Sequence, residues 1–461
     1  MATSHDAIII GAGQAGPFLA QRLAGAGMRV ALVERGAFGG TCVNTGCIPT
    51  KTLVASAYAA HLTRRVSDFG VDAGGAVHVD MRRVKARKDA IAGEARAGVE
   101  RGLRQLPNCT VYQGHARFES PRTVRVGDTV LAAERIFVDV GGRAAVPQLA
   151  ALEQVPFLTN STMMDLDVLP RHLVVVGGSY IGLEFGQMYR RFGSEVTIVE
   201  MGPRLVGRED EDVSAAIAGI LRDEGITLCL NVGCIGFARC GDAMVVRLDG
   251  ATGPREIAGS HVLLAVGRRP NTDDLGLEHA RVAVDTRGFI EVDDELRTST
   301  AGVWALGECN GRGAFTHTAF NDAEIVAANL LDGATRRVSD RIPAYALYID
   351  PPLGRAGLSE AEVRRSGRRA LSATRPMTRV MRAVEKGETR GLMKILVDAA
   401  SDEILGAAVL GTGGDEVIHA ILDLMYAKAP AALLRRAMHI HPTVSELLPT
   451  LVGDLAPLAG A

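Results

Sequence analysis

The residues best suited to chemistry are two cysteines in a glycine-flanked stretch, GGTCVNTGCIPTK, at residues 39–51. Cys42 and Cys47 are separated by four residues, and no other Cys or His lies within ten residues of them. Zinc sites usually need four such ligands, often as two Cys-x2-Cys pairs, so zinc is not favoured here. A structural disulfide is disfavoured in a reducing cytosol. The pattern therefore favours a redox pair over the alternative of two buried, inert thiols.

The residues around the pair indicate how the two cysteines meet. A disulfide requires Cα atoms within about 4.4–6.8 Å, which four intervening residues allow if they form a helical turn eased by Gly46. The run IPTKTLVASAYAAHLTRR then predicts a helix, so we expect Cys47 near a helix N-terminus. A thiolate is stabilised at that end of a helix.

A glycine loop precedes the cysteines and must be positioned by the elements around it. DAIII at residues 6–10 predicts a buried parallel strand, GAGQAG follows, FLAQRLAGAG predicts a helix, and MRVALVERG predicts a second strand. This order is the context that a dinucleotide fingerprint requires. Gly11 permits the tight turn, Gly13 lets the backbone approach a pyrophosphate, and Gly16 lets helix and strand pack closely. Glu34, at the end of the second strand, is placed to accept hydrogen bonds from a ribose.

The same pattern recurs later in the chain. HLVVVGGSYIG at residues 172–182 places Gly177 and Gly182 after an apolar strand, and helical LEFGQMYRRFG and the strand SEVTIVE follow, ending in Glu200. The distance from first glycine to acid equals that of the first loop. Ser179 replaces the middle glycine, so its side chain is expected at the closest approach to the phosphates. Two nucleotide sites in one chain indicate a flavin and a nicotinamide.

Composition narrows the class of protein. The chain has 461 residues, 53 glycines and 4% aromatic residues, which favours a glycine-loop α/β protein. A net charge of −2 and the lack of a long basic run give no electrostatic argument for nucleic acid. Seven cysteines are too few for a secreted disulfide scaffold, and the sequence shows neither a signal peptide nor an apolar run of membrane-spanning length. We expect a cytoplasmic protein without a nucleic-acid or membrane partner.

The order of the motifs predicts an α/β protein with two Rossmann-like dinucleotide-binding domains and an α+β C-terminal domain. The expected ranges are 1–146 for the first part of the flavin domain, 147–266 for the nicotinamide domain, 267–338 for the flavin-domain return and 339–461 for the last domain. LLAVGRRPNT at 263–272 marks the return crossing. RGFIEVDDELRTSTAGVWALGEC at 287–309 predicts two strands ending in a loop at Gly307-Glu308.

Taken together, these motifs resemble a known family. The GGTCVNTGCIPTK stretch, both glycine loops, LGEC at 306–309 and HIHPTVSEL at 439–447 are similar to the FAD-dependent pyridine nucleotide–disulfide oxidoreductases. That family includes glutathione reductase, dihydrolipoamide dehydrogenase and mercuric reductase, and the resemblance covers essentially the whole chain. The overall likeness is greatest to mercuric-reductase-like, reactive-chlorine-resistance flavoproteins.

The resemblance implies roles for the redox residues. Cys42 would be the interchange thiol that faces the substrate, and Cys47 would be the thiol against the flavin. Lys51 would lie near flavin N5 with Glu184 as its ion-pair partner. Tyr180 resembles the family's gate over the nicotinamide pocket.

The resemblance also implies the cofactor contacts. Glu308 stands where the family usually has Asp. The expected FAD residues are Gly11, Gly13, Gly16, Glu34, Thr41, Lys51, Glu308 and Thr316. The expected NAD(P) residues are Gly177, Ser179, Tyr180, Gly182, Glu200 and Gly267. No metal site is expected.

The C-terminal motif implies an obligatory homodimer. His441 and Glu446 match the acid–base pair that reaches the disulfide of the other subunit, so residues 339–461 would form a dimerisation domain. His439 lies two residues away, but only His441 precedes Pro-Thr with a carboxylate five residues on. A histidine with a carboxylate partner suits proton transfer during thiol–disulfide exchange.

The donor is expected to be NADH in preference to NADPH. Glu200 can accept both ribose hydroxyls but repels a 2′-phosphate. NADPH-using glutathione reductases carry arginines on the following loop, where this chain has Met201 and Gly207. Arg204 and Arg208 lie on the same loop and are the competing feature.

The sequence predicts electron transfer from NAD(P)H through flavin and the Cys42–Cys47 disulfide to a disulfide or another electrophilic small molecule. A mercuric or other metal-ion reductase is one alternative, but the last cysteine is Cys309, so the C-terminal pair on which mercuric reductase relies is missing. A dihydrolipoamide dehydrogenase-type enzyme and a redox-sensing flavoprotein are the others. The acid–base residue His441 argues against a sensor, which has no need of one.

Overall fold

The computed structural model describes residues 2–241, 243–250 and 254–458, so Met1 and Ala461, at the ends of the predicted domain ranges, lie outside the described residues. The first domain is built on a five-stranded parallel sheet. In sheet order its strands are Val303–Ala305, Arg135–Val138, Ala7–Ile10, Val30–Glu34 and Cys109–Gln113. The strand Ala7–Ile10 is fully buried because β-branched and apolar side chains face helices on both sides of a parallel sheet.

The second domain repeats this arrangement on a smaller scale. Its parallel strands, in sheet order, are Thr227–Cys229, Glu195–Val199, His172–Val176 and His261–Leu264. An antiparallel sheet of Val232–Cys240, Ala243–Gly250 and Arg255–Gly259 packs beside it. In both parallel sheets the strand that precedes a glycine loop lies in the interior, so each loop opens at the carboxyl edge of its sheet.

Two small sheets complete the part of the chain before residue 340. One contains Thr3–Ser4, Thr129–Ala132, Thr123–Val126 and Ala116–Ser120, and the other pairs Arg268–Pro270 with Gly142–Ala144. The pairing of Arg268–Pro270 with Gly142–Ala144 is antiparallel and joins the two segments that cross between the domains.

The C-terminal domain is an antiparallel sheet covered by helices. Its strands, in sheet order, are Ala344–Leu347, Leu353–Gly357, Ile404–Leu410, Leu392–Asp398, Ala370–Pro376 and Ala456–Pro457. The predicted strand-like stretches GLMKILVD and ILGAAVL form its two central strands.

The helices follow the predicted order. The α-helices are Ala15–Gly25, Gly40–Asn44, Cys47–Arg65, Met81–Gln105, Tyr180–Phe192, Glu211–Asp223, Thr316–Leu331, Glu360–Ser366, Met381–Glu385, Gly414–Tyr426, Ala431–Arg436 and Leu448–Gly453. Short 3₁₀ turns occur at Val66–Phe69, Leu152–Gln154, Thr162–Asp165, Gly307–Asn310, Val338–Asp340, Met377–Arg379 and Ser445–Leu447. None of the helices in the described part of the chain is long and apolar enough to cross a membrane.

One predicted strand is wrong. Of the two strands expected within residues 287–309, the structure forms Val303–Ala305, whereas residues 287–295 make only isolated bridges. Two aspartates explain the difference. The Asp285 carboxylate accepts the backbone N–H groups of residues 287 and 289, and the Asp293 carboxylate accepts those of residues 295 and 297. Local side-chain bonds of this kind compete with strand pairing and favour turns.

Candidate active site

Most of the predicted site residues meet around one cavity of about 2240 Å³. It is lined by Gly11, Gly13, Glu34, Thr41, Cys42, Cys47, Lys51, Gly177, Ser179, Tyr180, Glu184, Glu200, Gly267, Glu308 and Thr316, among others. Gly16 and Gly182 lie behind the two glycine loops, and His441 and Glu446 lie outside the lining. The cavity therefore joins both nucleotide loops to the two cysteines.

The two glycine loops have the same backbone geometry. Gly11 and Gly177 have φ values of +114° and +115°, which L residues rarely adopt. A Cβ at Gly16 would lie 2.2 Å from the Gly11 carbonyl oxygen, and one at Gly182 would lie 2.1 Å from that of Gly177. Glycine is required at these positions for the turn and for the close helix–strand approach.

The acids at the ends of the second strands are fixed in the same way in both domains. Each carboxylate accepts two backbone N–H groups, one from its glycine loop and one from two residues further along the chain. The distances are 2.8 and 2.7 Å for Glu34 and 2.7 Å for both bonds of Glu200. Both carboxylates also line the cavity, as a group that accepts ribose hydroxyls requires.

Sequence reasoning missed Gly178, the second glycine of GGSYIG. A Cβ at this position would lie 2.7 Å from Leu205 Cδ2 and 2.9 Å from Glu200 Cβ. The doubled glycine of GGSYIG is the feature of the sequence that could have indicated Gly178. It lets the loop lie directly on the acid that ends the neighbouring strand.

The two cysteines lie on two consecutive helices. Cys42 is within the helix Gly40–Asn44, and Cys47 is the first residue of the helix Cys47–Arg65, as the sequence predicts. Gly46 permits the approach, because a Cβ there would lie 2.8 Å from the Thr41 carbonyl oxygen and 3.3 Å from the Cys42 Cα. Both cysteines are free in the structure, and each shifts the pKa of the other.

The surroundings of the two sulfurs separate their acidities. Cys47 Sγ lies 3.0 Å from Thr316 Oγ1, at the first residue of the helix Thr316–Leu331. The hydrogen bond from Cys42, that from Thr316 and the positive charge of Lys51 lower the pKa of Cys47 to about 6, against the effect of burial. The same thiol–thiol bond, together with burial, raises the pKa of Cys42. The surroundings therefore favour the thiolate at Cys47 and the protonated thiol at Cys42.

Lys51 is held by contacts from two other segments. Its Nζ lies 2.7 Å from Glu184 Oε2, and the buried Glu184 also accepts the backbone N–H of Tyr348 at 3.0 Å. The Tyr348 ring lies 4.5 Å below the ammonium, close enough for a cation–π contact. The ammonium is thus oriented between the cysteine helix and the helix Tyr180–Phe192.

Glu308 has a partner that sequence reasoning did not identify. Arg268 donates to both of its carboxylate oxygens, at 2.5 and 2.7 Å, and to the Gly142 carbonyl oxygen at 2.7 Å. Arg268 belongs to the GRRP stretch at the return crossing, and the two arginines of this stretch could have indicated a cation near Glu308. The bidentate pair fixes the carboxylate at the cavity wall.

Asp139 was also missed, although it is fully enclosed beside the first glycine loop. Its Oδ2 accepts the Gly16 N–H at 2.9 Å, and burial raises its pKa well above the usual range. Burial of the carboxyl beside the glycine loop favours its neutral form.

Aromatic residues form one wall of the cavity. The Tyr180 ring meets Tyr345 edge-on at 5.6 Å and Phe315 edge-on at 6.2 Å, and Phe315 stacks on Tyr345 at 5.6 Å. Phe315 and Tyr345 lie 135 and 165 positions after Tyr180 in the sequence, so no local pattern indicated them.

The predicted acid–base pair is formed within one chain. His441 Nδ1 lies 2.9 Å from Glu446 Oε2, and the His441 side chain is 74% exposed. Its role at a partner's disulfide stays a prediction.

Family comparison agrees with this arrangement. Residues 5–323 match the family described as pyridine nucleotide-disulphide oxidoreductase, and residues 343–452 match its dimerisation domain. The chain belongs to the pyridine nucleotide-disulphide oxidoreductase family. Members of this family bind FAD and a pyridine nucleotide, and the glycine loops, the helix N-termini and the carboxylates of Glu34 and Glu200 at the cavity fit those two groups.

Similar proteins include several named members of the family. The probable pyridine nucleotide-disulfide oxidoreductase RclA of Escherichia coli is 36% identical over 96% of this chain and 98% of its own length. A mercuric reductase of Streptomyces lividans is 34% identical over 99% of this chain and 98% of its own. A solved structure described as the Cu(II) complex of the HOCl-induced flavoprotein disulfide reductase RclA has a TM-score of 0.89 and 34% identity, covering 98% of this chain and 99% of that one. This chain is accordingly an FAD-dependent pyridine nucleotide-disulfide oxidoreductase.

Proposed function

We propose that the enzyme is an NADH-dependent disulfide reductase whose acceptor is reduced by the Cys42–Cys47 dithiol. The observation that carries this proposal is the asymmetry of the two sulfurs. The Cys42 thiol, Thr316 and Lys51 lower the pKa of Cys47, while the neighbouring sulfur and burial raise the pKa of Cys42. When bound, FAD supplies the two-electron chemistry that connects a nicotinamide to a disulfide.

The exchange with the acceptor balances as two sulfur displacements. The Cys42 thiol loses its proton and attacks the acceptor disulfide, forming a mixed disulfide and releasing one acceptor thiolate, which takes up a proton. The Cys47 thiolate then attacks the Cys42 sulfur and releases the second acceptor thiolate, which takes a proton from solvent and becomes the second thiol. The acceptor disulfide is reduced to two thiols, and the enzyme dithiol is oxidised to a disulfide.

This sequence needs a base near Cys42, because its pKa is raised by the neighbouring sulfur and by burial. Within the chain, the exposed His441 and its partner Glu446 are outside the cavity lining. We therefore infer a homodimer in which the partner chain's copy of this pair reaches Cys42. An enzyme whose Cys42–Cys47 dithiol reduces disulfides also fits a cytoplasmic location, where thiols are kept reduced.

The geometry at the second acid supports NADH as the donor. Both Glu200 oxygens are held by backbone N–H groups, so the carboxylate cannot turn away from a ribose. Arg204 donates to the Gly207 carbonyl oxygen at 3.3 Å within its own loop, and Met201 is exposed. Arg208 also lines the cavity, so it is the cation of this loop that competes with Glu200 in the choice of donor.

A Cu(II) ion is the second candidate acceptor. A relative of 34% identity has been solved as a Cu(II) complex, both in its native form and as a mutant in which one cysteine is replaced by serine. A metal-ion acceptor would take electrons from the dithiol without forming a mixed disulfide.

A reoxidation experiment separates the candidates. The holoenzyme is reduced with one equivalent of NADH without oxygen and mixed with oxidised glutathione, lipoamide, Cu(II), Hg(II) or benzoquinone, while the flavin spectrum is followed. We expect a disulfide to restore the oxidised spectrum in the parent and in Cys240→Ser, a matched control at an exposed thiol, but not in Cys42→Ser. Reoxidation by Cu(II) alone favours the metal-ion reaction, and quinone reoxidation that is independent of Cys42 would overturn the dithiol route.

A further inference from the structure

Glu209 is a buried carboxylate beside the cavity that the reaction outlined above does not use. It is 2% exposed and lies between the second nucleotide domain and the C-terminal domain. Its Oε1 accepts the Tyr345 hydroxyl at 2.6 Å and the Tyr180 hydroxyl at 3.4 Å. Among the described residues, its Oε2 has no hydrogen-bond partner. This carboxylate therefore depends on two tyrosine hydroxyls.

The nearest cation compensates Glu209 only in part. Arg355 Nη1 lies 3.7 Å from Glu209 Oε2 but donates to Asp210 Oδ2 at 3.0 Å. Burial raises the pKa of Glu209, and Arg355 and the Tyr345 hydroxyl oppose that effect. A buried acceptor that loses a donor bears the cost of desolvation without compensation.

The two tyrosines differ in how they are held. Tyr345 belongs to the strand Ala344–Leu347 and makes the short bond. Tyr180 begins the helix Tyr180–Phe192 and makes the long bond, and both rings line the cavity. Burial and the charge of Glu209 raise the pKa of Tyr180 to about 12, so its hydroxyl is a donor at neutral pH. Of the two, Tyr180 is the side chain that can leave.

We propose that Glu209 is a positioning residue that holds Tyr180 over the cavity and sets how readily its ring moves aside for the nicotinamide. The proposal rests on the proposed function, with NADH as the donor, and on the expectation from the family resemblance that Tyr180 covers the nicotinamide pocket. When the ring moves away, the Glu209 carboxylate keeps Tyr345 as its one hydroxyl donor. Because Tyr345 and Arg355 both belong to the C-terminal domain, the position of the gate is coupled to the domain that forms the subunit interface.

The test measures binding of NAD⁺ to the oxidised holoenzyme by titration calorimetry, which requires no turnover. Glu209→Gln replaces a charge-assisted bond by a neutral one, so Tyr180 is released more easily and NAD⁺ should bind more tightly by about fivefold, the factor given by about 1 kcal/mol. Glu211→Gln is the matched control, because Glu211 is exposed and only two residues away, and its affinity should match the parent.

Two tyrosine variants should change the affinity for NAD⁺ in opposite directions. Tyr345→Phe leaves Tyr180 as the one hydroxyl donor to Glu209, so the gate is held more firmly and NAD⁺ should bind more weakly. Tyr180→Phe removes the bond altogether, so it should bind NAD⁺ at least as tightly as Glu209→Gln. The double variant should bind like Tyr180→Phe alone, because the bond that Glu209→Gln weakens is then absent. A general loosening of the structure would instead move Glu209→Gln and Tyr345→Phe in the same direction.

The outcomes distinguish the two proposals. If the parent binds NAD⁺ and Glu209→Gln binds it with unchanged or lower affinity, or if the effects of Glu209→Gln and Tyr180→Phe add, the positioning role is refuted while the donor site stands. If the parent binds no pyridine nucleotide, the proposed function fails, and the role of Glu209 fails with it.

Discussion

The acidity of Cys47 can be tested by removing one hydrogen-bond donor. In Cys42→Ser, Cys47 is a permanently free thiol, so its thiolate should give a long-wavelength charge-transfer band with oxidised flavin without any reductant. The serine hydroxyl can donate the bond that the Cys42 thiol donates to Cys47. Because the pKa of Cys47 is lowered to about 6, the band should be present at neutral pH and should be lost as pH falls through about 6. Protonation of the sulfur removes the electron donor.

Thr316→Val, introduced into Cys42→Ser, removes the hydroxyl 3.0 Å from Cys47 Sγ while conserving side-chain shape. A hydrogen bond to a charged group contributes about 1.5–3 kcal/mol. Cys47 is exposed to the cavity, so the lower end of that range applies. Since one pKa unit corresponds to about 1.4 kcal/mol, the midpoint should rise by about one unit.

The assay is a pH titration of the charge-transfer absorbance of the holoenzyme. Thr316→Ser keeps the hydroxyl, so it should titrate as Cys42→Ser alone and serves as the matched control. An unchanged midpoint in Thr316→Val would show that the hydroxyl does not stabilise the thiolate. A band that survives Cys47→Ser but requires Cys42 would show that the roles of the two sulfurs are reversed.

Three further predictions concern assembly, donor and stability. Hybrid dimers of Cys42→Ser and His441→Ala subunits should recover activity, measured after proven subunit exchange, and no recovery would mean that each site is built from a single chain. The ratio of kcat/KM for NADH to that for NADPH should exceed one in the parent. It should fall about tenfold in Glu200→Ala, since like-charge repulsion between Glu200 and a 2′-phosphate at a partly screened site is worth about 1–2 kcal/mol. An unchanged ratio would show that another residue of the loop determines the choice of donor. Arg268→Ala should lower the free energy of unfolding by about 3 kcal/mol in urea denaturation, because it leaves Glu308 without its bidentate partner. Arg269→Ala, which breaks an exposed pair, should cost less than about 1 kcal/mol, and equal losses in the two variants would contradict this account.

The parts of the site that local sequence predicts are those whose geometry is made by local residues. The spacing of the glycines in the sequence predicts both loops, because each turn depends on nearby backbone atoms. The carbonyl oxygen of Gly11, for example, leaves no room for a side chain at Gly16. Cys47 is placed at a helix start by the apolar pattern that follows it. The missing strand near residue 290 shows the opposite case. There β-branched residues favour a strand, and the carboxylates of Asp285 and Asp293 bend the backbone into turns.

Buried charges are the part that local sequence could not predict. Lys394 is 3% exposed and pairs with Asp210, Asp212 and Glu360, three carboxylates from two other segments of the chain. Glu209 likewise meets Tyr345 through a separation of 136 residues. An isolated buried charge is strongly unfavourable, so each of these groups requires its partner. In both cases one partner comes from the second nucleotide domain and the other from the C-terminal domain, so these buried groups are satisfied only where the two domains meet. The contacts that satisfy these charges also fix the orientation of the two domains, and the ring of Tyr180 is placed over the cavity by that same orientation.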